Sequence, residues 1–194
     1  MNTSPEITDA RHASPYSFRE KVGRVLWSVC EATLFRYSWP TWYSYRAWLL
    51  RRFGATIARN AFVRRTVRIT CPWNLTMGPD SAIGHEARIY ALGQITLGAR
   101  STVSQYTHLC AGSHDHTQLD MPLQRPPIRI LDDAWIAADA FVGPGVTVGT
   151  GAILGSRGCA FKDLDAWIIY GGNPARVIGA RQAWNTHSTR EATA

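Results

Sequence analysis

The sequence predicts a mainly β chain wound as a parallel β-helix, and two observations carry that prediction. Between Ile128 and Phe161, the residues Ile130, Ile136, Val142, Val148, Leu154 and Ala160 fall six apart without a slip. The positions two residues earlier (Ile128, Ala134, Ala140, Val146, Ala152 and Gly158) are mostly small. A period of six fits neither an α-helix nor a hairpin meander with irregular turns; it fits a short strand and a corner repeated. Stacking equivalent positions makes an apolar column that excludes charge, and none of the six is charged. Gly143, Gly149 and Gly155 follow three of them, where another backbone can approach closely.

Taken in order, residues 1–16 read as a loose arm rich in Asn, Thr, Ser and Pro, and 17–55 as a helical segment. Ser17 followed by Glu20 suits a capping box, after which Val22, Val25, Leu26, Val29 and Thr33 recur at helical spacing. Thr41 suits the cap of a second helix carrying Trp42, Tyr45, Trp48 and Leu49 and stopping at Gly54. Aromatics alternate here with Arg24, Arg36, Arg46, Arg51 and Arg52. Two readings fit: a cap over the first open coil, and an interfacial contact with a membrane.

The β-helix occupies 56–171. Its beat is weaker at Ile57, Val63 and Ile69, then regular at Met77, Ile83 and Ile89. It slips by two residues across Ala91–Ile95 and resumes at Leu97, Val103 and Leu109. The next expected position is Asp115, and the period fails until Ile128, which marks an inserted loop at 112–127. A long loop leaving a rigid solenoid is where function tends to sit. Gly171-Gly172-Asn173-Pro174 then signals a turn, and 172–194 read as a short helical tail.

Composition bounds the rest. A chain of 194 residues, 45% hydrophobic and 18% charged, is one globular domain with appendages. Its net charge of +7, from 19 Arg and 2 Lys against 14 acids, suits a phosphorylated cofactor, an anionic membrane surface or nucleic acid, but no nucleic-acid-binding motif accompanies it. Cys30, Cys71, Cys110 and Cys159 are too dispersed for a disulfide framework or zinc site and read as free thiols. The N-terminus lacks a secretory pattern and no apolar run approaches the roughly 20 residues of a spanning helix. The expected location is the cytoplasm, with the inner face of the membrane as a variant.

The loop opens Ala111-Gly112-Ser113-His114-Asp115-His116, where histidines and a carboxylate suit general base catalysis or metal binding. This run, with Trp73–Gly78, Leu109–Asp115, Asp133–Ala137, Gly143–Gly149 and Gly172-Asn173-Pro174-Ala175-Arg176, resembles the hexapeptide-repeat acetyltransferases, and within them the O-acetyltransferases of colanic acid and exopolysaccharide biosynthesis. The resemblance covers nearly the whole chain. It implies a left-handed β-helix in which three hexads close one triangular coil and residues about 18 apart stack. It also implies acetyl-CoA as co-substrate, a carbohydrate acceptor and a homotrimer with sites between subunits.

Under that resemblance His114 takes the proton from the acceptor hydroxyl, with Asp115 or a carbonyl orienting the ring. Trp135 walls the pantetheine groove, Ala138 and Ser156 offer it backbone N–H groups, Lys162 and Arg176 serve the CoA phosphates, and Asn173 completes the cofactor-binding set. Leu131, Asp165 and Ala91 depart from the family pattern, Ala91 standing where many relatives carry Asn near the acceptor. Two rivals share the fold: a γ-type carbonic anhydrase, for which His85, His108, His114 and His116 would be zinc candidates, and a non-catalytic scaffold. The spacing His114-x-His116 does not match the zinc pattern, and no metal ligand is assigned.

Overall fold

The apolar beat becomes the interior of a three-sided solenoid. The computed structural model describes residues 14–183, so most of the expected arm and the end of the tail lie outside the described residues. Face A stacks Thr56–Ile57, Leu75–Met77, Ile95–Leu97, Ile128–Ile130 and Thr147–Val148. Face B stacks Phe62–Val63, Ala82–Ile83, Thr102–Val103, Trp135–Ile136, Ile153–Leu154 and Ile168–Gly171; face C stacks Arg68–Ile69, Arg88–Tyr90, His108–Cys110, Phe141–Val142 and Cys159–Ala160. Within each face these strands pair in parallel. The fold class is therefore the parallel β-helix that the hexads announce, in the left-handed form that the resemblance implies.

The six residues of the regular run are at most 1% exposed. Ile130 stacks on Val148, Ile136 on Leu154 and Val142 on Ala160, each 18 residues on. The earlier coils are longer: Ile57 stacks on Met77 and Met77 on Leu97, each 20 residues on. The extra two residues sit at the edge where face C turns into face A, in the 3₁₀ turn Pro72–Asn74 and again across Ala91–Gln94. The slip expected at one corner thus occurs at two. All four cysteines are free, Cys30 and Cys71 buried.

Two helices close the bottom of the solenoid. The first, Phe18–Cys30, starts at Ser17, whose hydroxyl accepts the Glu20 N–H at 3.2 Å, and continues as a π-helical turn, Glu31–Phe35. The capping box is half made, because the Glu20 carboxylate turns to Arg125 instead. The second, Tyr43–Arg52, has Trp42 rather than Thr41 at its cap position and no side-chain cap bond, and it stops as expected at Gly54, which has φ +87°.

The helices meet a polar problem at the first coil. The N–H groups of Ala58, Arg64 and Thr70 donate upward to Met77, Ile83 and Ile89. In a trans peptide the preceding carbonyl points the opposite way, so the oxygens of Ile57, Val63 and Ile69 face downward, where no strand of the described residues receives them. One donor from the helical segment meets each: Arg51 Nε on Ile57 at 2.9 Å, Arg46 Nε on Val63 at 2.7 Å, and Trp27 Nε1 on Ile69 at 2.5 Å. The Ile69 N–H donates to the Glu31 carboxylate at 2.7 Å.

The inward face of the first helical segment is consequently Trp27, Cys30 and Phe35, all buried. The stripe that helical spacing picks out, Val22, Val25, Leu26 and Val29, lies outside, between 41% and 63% exposed. This reverses the simple amphipathic expectation. The surface being covered is a row of backbone carbonyls, which calls for long donors more than for aliphatic side chains.

The C-terminal expectation also changes. Residues Arg176–Ala180 form a strand antiparallel to Ile168–Gly171, not a helix. Gly172, at φ +87°, and Pro174 reverse the chain, and β-branched Val177 and Ile178 favour the extended conformation.

Burial holds the Glu31 carboxyl above its ordinary range, against the opposing pull of the Ile69 N–H and Arg68. A raised folded value means that the folded chain binds this proton more readily than the unfolded one. The stability contributed by Glu31 therefore falls as pH rises from the ordinary carboxylate range through the folded value. Glu31→Gln keeps an acceptor for Ile69 and should flatten that part of a Tm profile measured upward from about pH 4, without lowering Tm at neutral pH. A clear drop in Tm at neutral pH would mean that the ionised form is needed.

Candidate active site

The inserted loop leaves the edge between faces C and A and returns to it as a small antiparallel hairpin. Ser113 pairs with Gln124 and His114 with Leu123. The returning strand passes directly over Gly93, where a methyl group would lie 2.5 Å from the Arg125 carbonyl oxygen; only glycine leaves that space. Arg125 then reaches the first helix, with Nη1 3.2 Å from Glu20 Oε1 and its guanidinium 5.3 Å from the Tyr16 ring centre. The loop is strapped to the solenoid on one side and to the helical cap on the other.

His114 is exposed, and its Nδ1 lies 2.6 Å from the Met121 carbonyl oxygen. A carbonyl oxygen can only accept, so Nδ1 carries the proton and donates it. In the neutral ring Nε2 then carries the lone pair, the tautomer a general base requires. Met121 aims its carbonyl from the left-handed region, at φ +47°.

Asp115 does not supply this contact. Its Oδ1 accepts from the Thr117 N–H at 3.0 Å and the Thr117 hydroxyl at 2.6 Å, and its Oδ2 accepts from Gln118 Nε2 at 2.7 Å. Those hydrogen bonds hold the carboxyl below its usual range. Of the two partners considered for the ring, the carbonyl is the one in contact, and Asp115 instead pins the turn that carries Met121. Ala91 is fully buried at the corner beneath, where Asn74 Nδ2 donates to its carbonyl at 2.9 Å.

The expected cofactor residues lie on another edge. Trp135 is on face B, 43% exposed, with its indole N–H donating to Ser104 Oγ at 2.9 Å. Ala138 and Ser156 occupy successive corners between faces B and C, joined by the Arg157 N–H donating to the Ala138 carbonyl at 3.0 Å. The Gly172–Ala175 turn continues that column: Cys159 N–H donates to the Gly172 carbonyl at 2.9 Å, and Ala175 N–H to the Cys159 carbonyl at 2.8 Å. Asn173 and exposed Arg176 belong to this top turn. Lys162 is also exposed but follows face C, on the edge that carries His114.

One chain thus holds His114 on the C–A edge and a column of Trp135, Ala138, Ser156, Asn173 and Arg176 along the B side, with face C between them. That interval contains an open depression lined by Glu86, Arg88, Tyr106, His108 and Asp139. Burial and nearby Arg88 hold His108 below its ordinary pKa. The sequence reading missed Met121, because a backbone acceptor has no side-chain signature. It also missed the depression, whose residues come together only through the 20-residue coil. Among the described residues no group of three or more His, Cys, Asp and Glu is placed to hold a metal ion. His85 Nδ1 is 2.9 Å from the Thr66 hydroxyl, and His108 packs edge-on against Phe141.

No family model matches the chain. The WcaF protein of Escherichia coli K12, assigned as a colanic acid biosynthesis acetyltransferase, is 46% identical over 156 residues, covering 80% of this chain and 86% of the relative. Galactoside O-acetyltransferase of the same organism is 25% identical over 179 residues, covering 84% and 88%. Among solved structures, the hexapeptide-repeat acetyltransferase VCA0836 of Vibrio cholerae, complexed with acetyl-CoA, superposes with a TM-score of 0.78 at 19% identity, covering 94% of this chain and all of that one. At that identity the likeness speaks for the fold.

Proposed function

The chain belongs to the hexapeptide-repeat acetyltransferases, enzymes that use acetyl-CoA, and from that premise we propose that it acetylates a sugar hydroxyl of a polysaccharide or glycolipid precursor, with His114 as general base. The observation that carries the mechanism is the Nδ1–H bond from His114 to the Met121 carbonyl, which leaves Nε2 as acceptor. Nε2 takes the proton as the acceptor oxygen attacks the thioester carbonyl. The tetrahedral intermediate places negative charge on the former carbonyl oxygen, where a backbone N–H donor stabilises it. It collapses by breaking the C–S bond, and the imidazolium returns its proton to the departing thiolate. Atoms and charge balance, and the enzyme ends as it began.

Direct transfer fits a site with one base. A sugar hydroxyl is a poor nucleophile at neutral pH and requires its proton removed as it attacks. The separation of His114 from the Trp135 column supports a homotrimer in which the base of one copy faces the groove of the next. In that groove Trp135 walls the pantetheine arm, the N–H groups of Ala138 and Ser156 orient its amides, and Asn173, Arg176 and Lys162 serve the phosphate end.

The reading is tested by thiol release from acetyl-CoA across a panel of glycans and glycolipids. Acceptor-dependent release with a matching gain of one acetyl group in the acceptor supports it; release confined to amines or small drugs would overturn the substrate class. Arg176 is exposed, so Arg176→Ala should leave the fold intact and raise KM for acetyl-CoA about fivefold, the effect of losing roughly 1 kcal/mol of charge contact. The turnover number should stay unchanged. A fall in kcat with constant KM would remove Arg176 from the phosphate end.

A further inference from the structure

The capping helices use one face to close the β-helix and leave a second one bare. On the first helix the bare face is a continuous stripe, Phe18 at 83% exposed followed by Val22, Val25, Leu26 and Val29. On the second, Trp42 and Trp48 are 56% and 48% exposed, linked through Tyr45 by ring contacts at 5.8 and 6.1 Å. Arg52 lies over Trp48 at 5.5 Å, and it lines one groove together with Arg19, Val22 and Leu26. The two helices therefore adjoin across that groove, with Arg52 at the end of the second helix linking it to the Trp48 ring.

Charge is concentrated in the same part of the chain. Residues 14–68 hold 11 of the 21 Lys and Arg but only 2 of the 14 acids, so the remainder of the chain is close to neutral. Both acids are engaged: Glu20 with Arg125, and Glu31 with the Ile69 N–H and Arg68. Lys21, Arg51, Arg52, Arg59, Arg64 and Arg65 are all exposed at this end. Among the described residues no helix is long and apolar enough to cross a membrane. A surface that is apolar, rich in exposed Trp and positively charged matches a bilayer interface, where rings sit at headgroup level and arginines meet anionic lipid.

We propose that this helical cap is a peripheral docking surface for an anionic bilayer, a property independent of the acetyl-transfer reading. The first helix lies in the interfacial plane with Phe18, Val25 and Val29 toward the acyl region, and Trp42 and Trp48 extend the contact. Capping and membrane contact, which the sequence presents as alternatives, then fall to opposite faces of the same helices.

Vesicle co-sedimentation of the full chain tests this, using equal parts phosphatidylglycerol and phosphatidylcholine against phosphatidylcholine alone. Binding should be confined largely to the anionic vesicles and weaken as salt rises. The variant Val25→Glu/Val29→Glu should bind about tenfold less, because two charges enter the acyl boundary. Both positions are exposed, so its Tm and its mass by light scattering should match the parent. Failure to sediment with anionic vesicles, or equal sedimentation of the variant, overturns the proposal. A change in assembly mass overturns it too, by making the stripe an interface between copies. Acetyl transfer to a soluble acceptor without vesicles should be equal in both proteins, which separates this outcome from failure of the catalytic reading.

Discussion

Replacing His114 by Ala should lower kcat/KM by about 10²- to 10⁴-fold, the usual contribution of a positioned general base. Acetyl-CoA binding and Tm should be unchanged, because the ring is exposed and contributes one hydrogen bond, to Met121. Turnover within tenfold of the parent would remove His114 from the mechanism. Pairing this variant with Trp135→Ala tests the trimer arrangement as well. Each variant alone should be impaired, but assemblies refolded from a mixture should regain activity if one copy supplies His114 and its neighbour Trp135. No recovery is expected if both residues serve a site within one chain, since no chain in the mixture then carries an intact pair.

The largest expected effect on stability belongs to Arg46. Its side chain is fully buried, yet its hydrogen-bond partners among the described residues are three carbonyls and a hydroxyl, with no carboxylate. Nε donates to the Val63 carbonyl at 2.7 Å; Nη1 donates to Ser38 Oγ at 3.0 Å and the Trp39 carbonyl at 2.9 Å; Nη2 donates to the Pro40 carbonyl at 2.9 Å. The guanidinium also lies 4.7 Å from the Tyr43 ring centre. Burial, with help from Arg64 and Arg65, pushes its pKa down against the favourable influence of Tyr43. Arg46→Ala removes all four hydrogen bonds, strands three carbonyls and leaves a cavity beneath the first coil. A loss of about 3–5 kcal/mol is expected in denaturant unfolding. Arg46→Lys should recover little, because one ammonium cannot reproduce a planar fork aimed at separate oxygens. A loss below about 1 kcal/mol for Arg46→Ala would mean that water replaces the guanidinium and the cap is open.

The solenoid was legible in the sequence because its rule is local. Each inward position must be apolar, so Ile130 through Ala160 announce themselves one by one. The helical cap follows another rule. Trp27, Arg46 and Arg51 were visible as residue types, but their task is to meet the downward oxygens of Ile69, Val63 and Ile57, a demand created only once the coil exists. The aliphatic stripe at Val22, Val25, Leu26 and Val29 consequently drew attention to the face turned outward. Val177 and Ile178 had too short a run to reveal a strand before its partner at Ile168–Gly171 was placed. At the site, His114 stood out by its loop and by resemblance, whereas the oxygen that fixes its tautomer belongs to a methionine whose side chain is incidental to the role.

The inserted loop has a consequence for engineering. Leu97 stacks directly on Ile130 although 33 residues separate them, and Val103 on Ile136 in the same way, so the register is the same before and after the excursion. Its length is therefore invisible to the coils above. Segments can be lengthened, shortened or exchanged there at a cost that grows only logarithmically with length. A chimaera that exchanges residues 112–127 between homologues should therefore keep the solenoid and its Tm while changing only what the loop presents.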